Sequence, residues 1–196
     1  MAEDLNFFKQ ISIAIEKRLQ SPLGKIELIN KVALKMNELS NYKVEQIQLQ
    51  AAIYLYNWGI CTLPVSITTK KEMLTEKEMD IIKKCPSISV AILDNIPFWQ
   101  PAVQIIEQRH ERIDGTGYPN KKNKDDICDG AKILAITDSF GSVFYAKPYQ
   151  QRNTRTIMAA ILTINNEVGT QFDEYWADLF NQSIKILHQE HKLIKS

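Results

Sequence analysis

Apolar residues recur every three or four positions along most of the chain, which is the spacing of a buried helix face. Three such stripes precede residue 56: Leu5, Phe8, Ile11, Ile15 and Leu19; Ile26, Ile29, Ala33 and Met36; Val44, Ile47, Ala51 and Leu55. Each stripe must pack against a neighbouring element. No useful length of chain alternates with period two, so the pattern predicts an all-α bundle with almost no sheet.

Capping residues mark two of the predicted helix starts. Thr75 and Glu78 form a capping-box pattern, with Leu74 and Met79 at the positions of a hydrophobic staple. Asp173 is a candidate N-cap for a last helix over 174–192. The buried face of that helix is predicted to contain Trp176, Leu179, Phe180, Ile184 and Leu187.

The remaining boundaries complete the predicted architecture. Helices are expected over 87–94, 100–110, 129–145 and 154–167, and long irregular stretches over 58–73 and 111–128. This gives a bundle of about nine helices. Residues 1–20 are expected to form an N-terminal helix that packs on the main domain, 21–196, or makes a homodimer contact.

Charge and composition exclude several classes of protein. The net charge is +1, which gives no strong electrostatic case for binding DNA or a membrane surface. The acidic start of the chain is not followed by a long apolar run, so neither a signal peptide nor a membrane span is predicted. Three widely spaced cysteines, Cys61, Cys85 and Cys128, predict free thiols in a reducing cytoplasm.

The stretch with the most specific chemistry runs from Arg109 to Pro119, with the sequence RHERIDGTGYP. Gly115 and Gly117 permit positive φ, Pro119 fixes the exit direction, and Asp114 can bond backbone amides in the turn. Such a loop has a structural explanation of its own. A long loop in a compact helical domain is also often functional.

Several ordered motifs, together with this loop, resemble the HD-GYP domains, a branch of the HD superfamily. The matching segments are LTEKE at 74–78, IPF at 96–98, DICDGAKILAITDSFGSVFYAKPYQ at 126–150 and GTQFD at 169–173. The resemblance covers roughly residues 20–190. It implies an HD-like helical fold, and it implies an ancestry among bacterial enzymes that hydrolyse cyclic di-GMP with two or three iron or manganese ions.

Most positions that the resemblance assigns to metal ligands hold other residues in this chain. Tyr56 and Asn57 stand where the family has its His-Asp pair, and Ile60 replaces a phosphate-binding lysine. Cys85 and Arg109 replace two further histidines. No histidine precedes His110, so an early histidine ligand is missing as well. Imidazoles and carboxylates are the ligands that suit iron and manganese.

Two ligand positions remain, His110 and Asp138. We expect no metal centre and no catalytic residues, and we expect an ion pair of Arg109 with Asp138 or Glu111 in the former metal cavity. Asp138 is also a candidate partner of His110. A single weak metal on His110 and Asp138, aided by Cys85, is the alternative. If it binds no metal, Cys85 is expected to be a small, buried, apolar side chain.

These observations predict a catalytically degenerate HD-GYP protein that acts in bacterial signalling as an interaction or regulatory module. The expected binding residues are Arg109, Asp114, Gly115, Gly117, Tyr118, Pro119 and Lys147. In the family, the glycine loop is implicated in contacts with GGDEF domains. Two alternatives stay open: a residual metal-dependent phosphodiesterase, and a cyclic di-GMP sensor in which Arg109 contacts phosphate.

Overall fold

A computed structural model describes residues 2–70, 72–91, 93–145 and 157–190. Within these ranges the chain forms ten α-helices, one of them a single turn of four residues. The helices are α1 (Ala2–Arg18), α2 (Lys25–Leu39), α3 (Gln46–Leu55), α4 (Val65–Thr68), α5 (Glu76–Ile82), α6 (Cys85–Val90), α7 (Gln100–Gln108), α8 (Asp129–Phe144), α9 (Ile157–Asn165) and α10 (Glu174–Gln189). Three 3₁₀ turns occupy Gly59–Thr62, Pro97–Trp99 and Lys124–Asp126. The predicted all-α architecture of about nine helices is therefore confirmed.

The predicted apolar stripes form one core. Helix α2 packs against α8 and α10, and α3 packs against α1 and α7. Fully buried side chains from four of these helices meet there: Ile29, Met36, Leu49, Ile53, Ile133, Phe140, Trp176 and Phe180. Burial of large apolar side chains is the main term that stabilises such a bundle.

Both predicted helix caps are present. The Thr75 hydroxyl accepts from the Glu78 amide at 3.3 Å, and the Glu78 carboxylate accepts from the Thr75 amide at 2.7 Å, which completes the capping box. The Asp173 carboxylate accepts from the Trp176 amide at 3.1 Å. The side chain therefore satisfies one of the amides that lack a partner within the first turn of α10.

Two predicted boundaries were wrong. The stretch over 58–73 is partly helical, since it contains the turn Gly59–Thr62 and helix α4. Helix α6 begins at Cys85 and ends at Val90, not over 87–94, because Pro86 fits the first turn of a helix, where its missing amide has no acceptor in any case. Within the described residues, the other helices differ from the prediction only at their ends, where assignment is least sharp. Residues 154–156 and 191–192, which belong to two of the predicted helices, lie outside the described residues.

Sheet is nearly absent from the described part of the chain, as predicted: it holds two isolated bridges, Asp114–Asn123 and Val168–Phe172. No helix among these residues is both long and apolar enough to cross a bilayer. Helix α1 buries Phe8, Ile15 and Leu19. It contacts α3, which carries the site residues at its carboxyl end.

Candidate functional site

A cleft of about 350 Å³ contains both surviving ligand positions. His110 follows α7 and Asp138 lies on α8, and Arg109, Arg112 and Glu167 line the same space. Helices α7 and α8 pack against each other, which brings the two positions together. His110 and Asp138 therefore line one cleft, as the sequence predicted, but each bonds to other groups.

The Asp138 carboxylate pairs with a lysine that sequence reasoning missed. Lys25 Nζ lies 3.1 Å from Asp138 Oδ1 and donates to Ser142 Oγ at 2.9 Å. The Tyr56 hydroxyl donates to the same Asp138 oxygen at 2.9 Å. A carboxylate that would serve a divalent cation is thus already bonded to an ammonium group and a phenol.

The pKa values in this set follow from burial and charge. Burial raises the pKa of Asp138, but the positive charges of Lys25 and Arg109 outweigh it and lower the pKa to about 2. Burial, and after it the Asp138 charge, raises the pKa of Tyr56 well above its usual value. The carboxylate is therefore ionised and the phenol protonated at neutral pH, the states that their hydrogen bond requires.

Arg109 is buried and bonds to α3 rather than to a carboxylate. Its Nη1 donates to the Tyr56 carbonyl oxygen, and its guanidinium carbon lies 4.7 Å from the centre of the Tyr56 ring. This is the geometry of a cation–π contact. The predicted ion pair with Asp138 or Glu111 was wrong, because Asp138 pairs with Lys25 and Glu111 bonds backbone amides.

His110 accepts a hydrogen bond from Arg109 and does not bond Asp138. Arg109 Nε donates to His110 Nε2 at 3.0 Å, and the imidazole stacks on Tyr118 with ring centres 4.7 Å apart. Burial, and then the Arg109 charge, lower the pKa of His110 to about 3. The imidazole is neutral at physiological pH, and its Nε2 lone pair is occupied by the guanidinium.

The other replaced positions do not face this cleft. Cys85 is fully buried and its Sγ contacts the Ile81 carbonyl oxygen at 3.8 Å, as expected of a small buried side chain. Ile60 lines a second cleft of about 510 Å³, which Lys25 and Ser142 also line. Asn57 borders a small cavity beside Lys25. Among the described residues, Cys85 does not form a metal-holding group with His110 and Asp138.

The glycine loop is held by its own hydrogen bonds. The buried Glu111 carboxylate accepts from the backbone amides of Asn120 and Lys122 at 2.7 and 2.9 Å. Asp114 Oδ1 accepts from the Thr116 amide at 2.9 Å, as its place in the turn predicted. The Tyr118 amide closes the loop on the His110 carbonyl oxygen at 3.1 Å.

The two glycines serve different purposes. Gly115 has φ 75°, which confirms the positive φ predicted for it. Gly117 does not adopt the positive φ that glycine permits. A Cβ at Gly117 would collide with the backbone of Glu111 and Arg112, so glycine is required there for close approach. Pro119 follows a cis peptide bond after Tyr118.

The loop docks on the turn before α10. The Asp114 amide donates to the Thr170 carbonyl oxygen at 3.0 Å, and Arg112 bonds Gln171 at 2.9 Å. Arg112 also lies 3.2 Å from Asp114 and 3.3 Å from Glu167. The last predicted binding residue, Lys147, lies outside the described residues.

The side chains of this cleft do not fit the inner shells of a metal pair. Among the described residues, no group of three or more histidine, cysteine or acidic side chains is arranged to hold a metal ion. Two imidazole or carboxylate ligands cannot fill the coordination of two divalent ions. The ammonium of Lys25 and the guanidinium of Arg109 moreover bond to Asp138 and His110, the two side chains that would hold a metal.

Comparison with known proteins identifies the family. The HD domain model matches residues 9–175. The chain belongs to the HD domain family. Bd1817, an HDG"Y"P protein from Bdellovibrio bacteriovorus, has a similar fold, with a TM-score of 0.64 over 82% of this chain and 51% of that one at 13% identity. The resemblance to HD-GYP domains is thereby confirmed.

Curated relatives of this HD domain are named for cyclic dinucleotides. The cyclic di-GMP phosphodiesterase response regulator RpfG of Xanthomonas campestris is 30% identical over 86% of this chain and 45% of its own length. The cyclic di-GMP phosphodiesterase PdeB of Borreliella burgdorferi is 29% identical over 69% of this chain and 35% of its length. A 3'3'-cGAMP-specific phosphodiesterase of Vibrio cholerae is 30% identical over 62% and 24%. The chain thus spans less than half the length of these relatives.

Sequence reasoning found Arg109, His110 and Asp138 but missed Lys25, and it named Glu111 only as a possible ion-pair partner of Arg109, not as the acceptor of loop amides. One local signal pointed to Lys25. It is the first residue of α2, where the helix dipole disfavours a cation and favours an acidic residue. A residue that contradicts local preference often has a tertiary role.

Proposed function

We propose that this HD-domain chain acts in cyclic dinucleotide signalling as an interaction or regulatory module, without hydrolysing phosphodiesters. The names of its relatives support the pathway, since they refer to cyclic di-GMP and 3'3'-cGAMP. The retained glycine loop supports contact with another signalling protein, such as a GGDEF-domain protein.

One observation supports the loss of hydrolysis: Lys25 and Arg109 bond directly to the two groups that would bind metals, Asp138 and His110. Lys25 neutralises Asp138, and Arg109 occupies Nε2 of His110. A divalent ion would have to displace both cations or lie against them in a partly buried cleft. A divalent ion in contact with either of these cations would be repelled strongly, because the dielectric constant is low in a partly buried cleft.

Elemental analysis and hydrolysis assays on the purified chain test the proposal. We expect less than stoichiometric iron and manganese, and no turnover of cyclic di-GMP, 3'3'-cGAMP or their linear products with either ion added. The Xanthomonas relative serves as the positive control. Stoichiometric metal together with turnover would instead identify a residual phosphodiesterase and overturn the proposal.

A second candidate is a cyclic di-GMP sensor that binds without hydrolysis. The observation that favours it is the open cleft of about 350 Å³, which Arg109 and Arg112 line together with the hydroxyl-bearing Ser139 and Thr163. Guanidinium groups bind phosphate by paired hydrogen bonds. Calorimetry with cyclic di-GMP tests it, with Arg112→Gln as the variant expected to weaken binding. No heat at high micromolar ligand excludes the sensor.

A further inference from the structure

The start of α2 is capped by a carboxylate from another helix. Gly24, the N-cap residue, has φ 91° and offers no side chain. Glu16 of α1 supplies the missing acceptors: Oε1 accepts from the Ile26 amide at 2.7 Å, and Oε2 accepts from the Gly24 amide at 3.4 Å. The first amides of a helix have no acceptor within it, so they require such a partner.

Lys25 lies between the two amides that Glu16 bonds. Its backbone is therefore fixed on both sides, and its side chain extends from there to Asp138 and Ser142. Glu16 is 6% exposed, so its carboxylate is held inside the protein at this junction. A buried carboxylate that bonds backbone amides restricts the chain more firmly than an exposed one.

A second charged residue of α1 anchors the helix nearby. Arg18 Nε donates to the Cys61 carbonyl oxygen at 2.6 Å, and Arg18 Nη2 donates to that of Leu63 at 3.4 Å. Helix α1 thus bonds the start of α2 and the segment that follows α3. Both of these segments border the cleft with Ile60, Leu63 and Lys25.

We propose that Glu16 is a positioning residue that holds the Lys25 ammonium on Asp138, which makes α1 a part of the site. This inference rests on the proposed function, in which Lys25 takes the place of a divalent cation. When Glu16 is lost, the chain at 24–26 gains freedom and Lys25 leaves Asp138 more often. The attachment of α1 to α2 then determines whether the Asp138 carboxylate is paired with Lys25 or carries an unpaired negative charge.

The rate at which Lys25 reacts with an amine-specific succinimidyl ester tests the inference, measured by peptide mass spectrometry on the full chain. Lys35 is the internal reference. It lies on the same helix, is paired with Glu38 at 2.7 Å, and its side chain is 18% exposed against 15% for Lys25. The ratio of the two rates reports the position of Lys25 rather than general loosening.

We expect Glu16→Ala to raise this ratio about tenfold, because it removes the acceptor of both amides that fix the chain on either side of Lys25. The matched control is Glu27→Ala, which removes another contact between α1 and α2, the 3.2 Å pair with Lys9. The side chain of Glu27 is 57% exposed, and we expect its loss to leave the ratio unchanged. An unchanged ratio in Glu16→Ala, or a joint rise of Lys25 and Lys35, overturns the inference.

If Glu16→Ala does not fold, Glu16→Gln replaces it. Glutamine keeps one oxygen acceptor, so we expect a smaller rise of roughly threefold. A folded Glu16→Gln protein with the parental ratio also overturns the inference. Labelling uses no metal or nucleotide, so its outcome is separate from the hydrolysis assays that test the proposed function.

Discussion

The glycine loop over 110–119 and the cleft around Asp138 lie side by side but are stabilised differently. In the loop, the main bonds run between backbone amides and two carboxylates, those of Glu111 and Asp114. In the cleft, they run between side chains, with Lys25 and Tyr56 on Asp138. One region depends on local chain geometry and the other on groups brought together by the fold.

This difference explains how a loop can keep its form while the neighbouring cleft holds unusual residues. No bond that closes the loop involves Lys25, Tyr56 or Asp138. The loop is therefore closed by hydrogen bonds among its own and adjacent residues. Glu111 and Asp138 share no hydrogen-bond partner, so substitutions at these two residues should have separable effects, because energetic coupling falls off between groups without shared partners.

The largest expected effect is that of Glu111→Ala. It leaves the amides of Asn120 and Lys122 without their acceptor, and we expect the free energy of unfolding to fall by about 3–5 kcal/mol. Urea unfolding measures it. Glu111→Gln keeps one acceptor and should lose about half as much. A loss below about 1 kcal/mol in Glu111→Ala would show that the loop has other supports.

Asp138→Asn is the corresponding change in the cleft. It keeps an acceptor for Tyr56 but leaves the Lys25 ammonium without its counter-charge. The two side chains are 22% and 15% exposed, so we expect a loss of about 2–3 kcal/mol, below that of a fully buried pair. Asp178→Asn on the exposed face of α10 is the control. Equal losses in the two variants would contradict the assigned role of Asp138.

The neutral state of His110 predicts acid sensitivity. Its pKa is about 3 in the folded chain against 6.5 ordinarily, so between these values the unfolded chain binds a proton that the folded chain does not. Stability is full above pH 6.5 and falls as pH decreases, by about 1.4 kcal/mol per unit, or about 2 kcal/mol from pH 6.5 to 5.

Urea unfolding across this pH range measures the slope. His110→Gln should flatten it, whereas His188→Gln, which changes an exposed imidazole on α10, should not. The same slope in His110→Gln and the parent protein would assign the proton uptake to other groups.

The smallest expected effect is at the contact between the loop and the turn before α10. Arg112→Lys keeps the charge but cannot reach Gln171, Asp114 and Glu167 together. We expect a loss below about 1 kcal/mol, because the guanidinium is partly exposed. Amide exchange at Asp114, which donates to Thr170, should nevertheless accelerate several-fold. Unchanged exchange there would show that the loop docks without Arg112.

The bundle was predictable because its signals are local. The stripe from Ile26 to Met36 and the caps at Thr75 and Asp173 each lie within a few turns of one helix, and all are present in the structure. The turn at Gly59–Thr62 was missed because its packing depends on the distant Cys85, whose carbonyl oxygen leaves no room for a Cβ at Gly59.

The sequence predicted most residues of the site but not the hydrogen bonds and ion pairs between them. The motif led to Arg109, His110 and Asp138, yet Lys25 lies 113 positions from Asp138 and belongs to no recognised motif. The predicted partner of Arg109 was wrong for the same reason, since Arg109 bonds the carbonyl oxygen of Tyr56, which directly follows α3. Pairings of this kind are set by helix packing, which periodicity alone does not specify.

Gly117 bears on how such sequences are sorted by genome surveys. Glycine is required there because the backbone of Glu111 and Arg112 leaves no room for a side chain. A survey that scores this glycine therefore measures the steric fit of a loop. In this chain the same glycine stands next to a cleft in which Lys25 bonds to Asp138 and Arg109 bonds to His110, so positions 25 and 109 bear more directly on catalytic activity than Gly117 does.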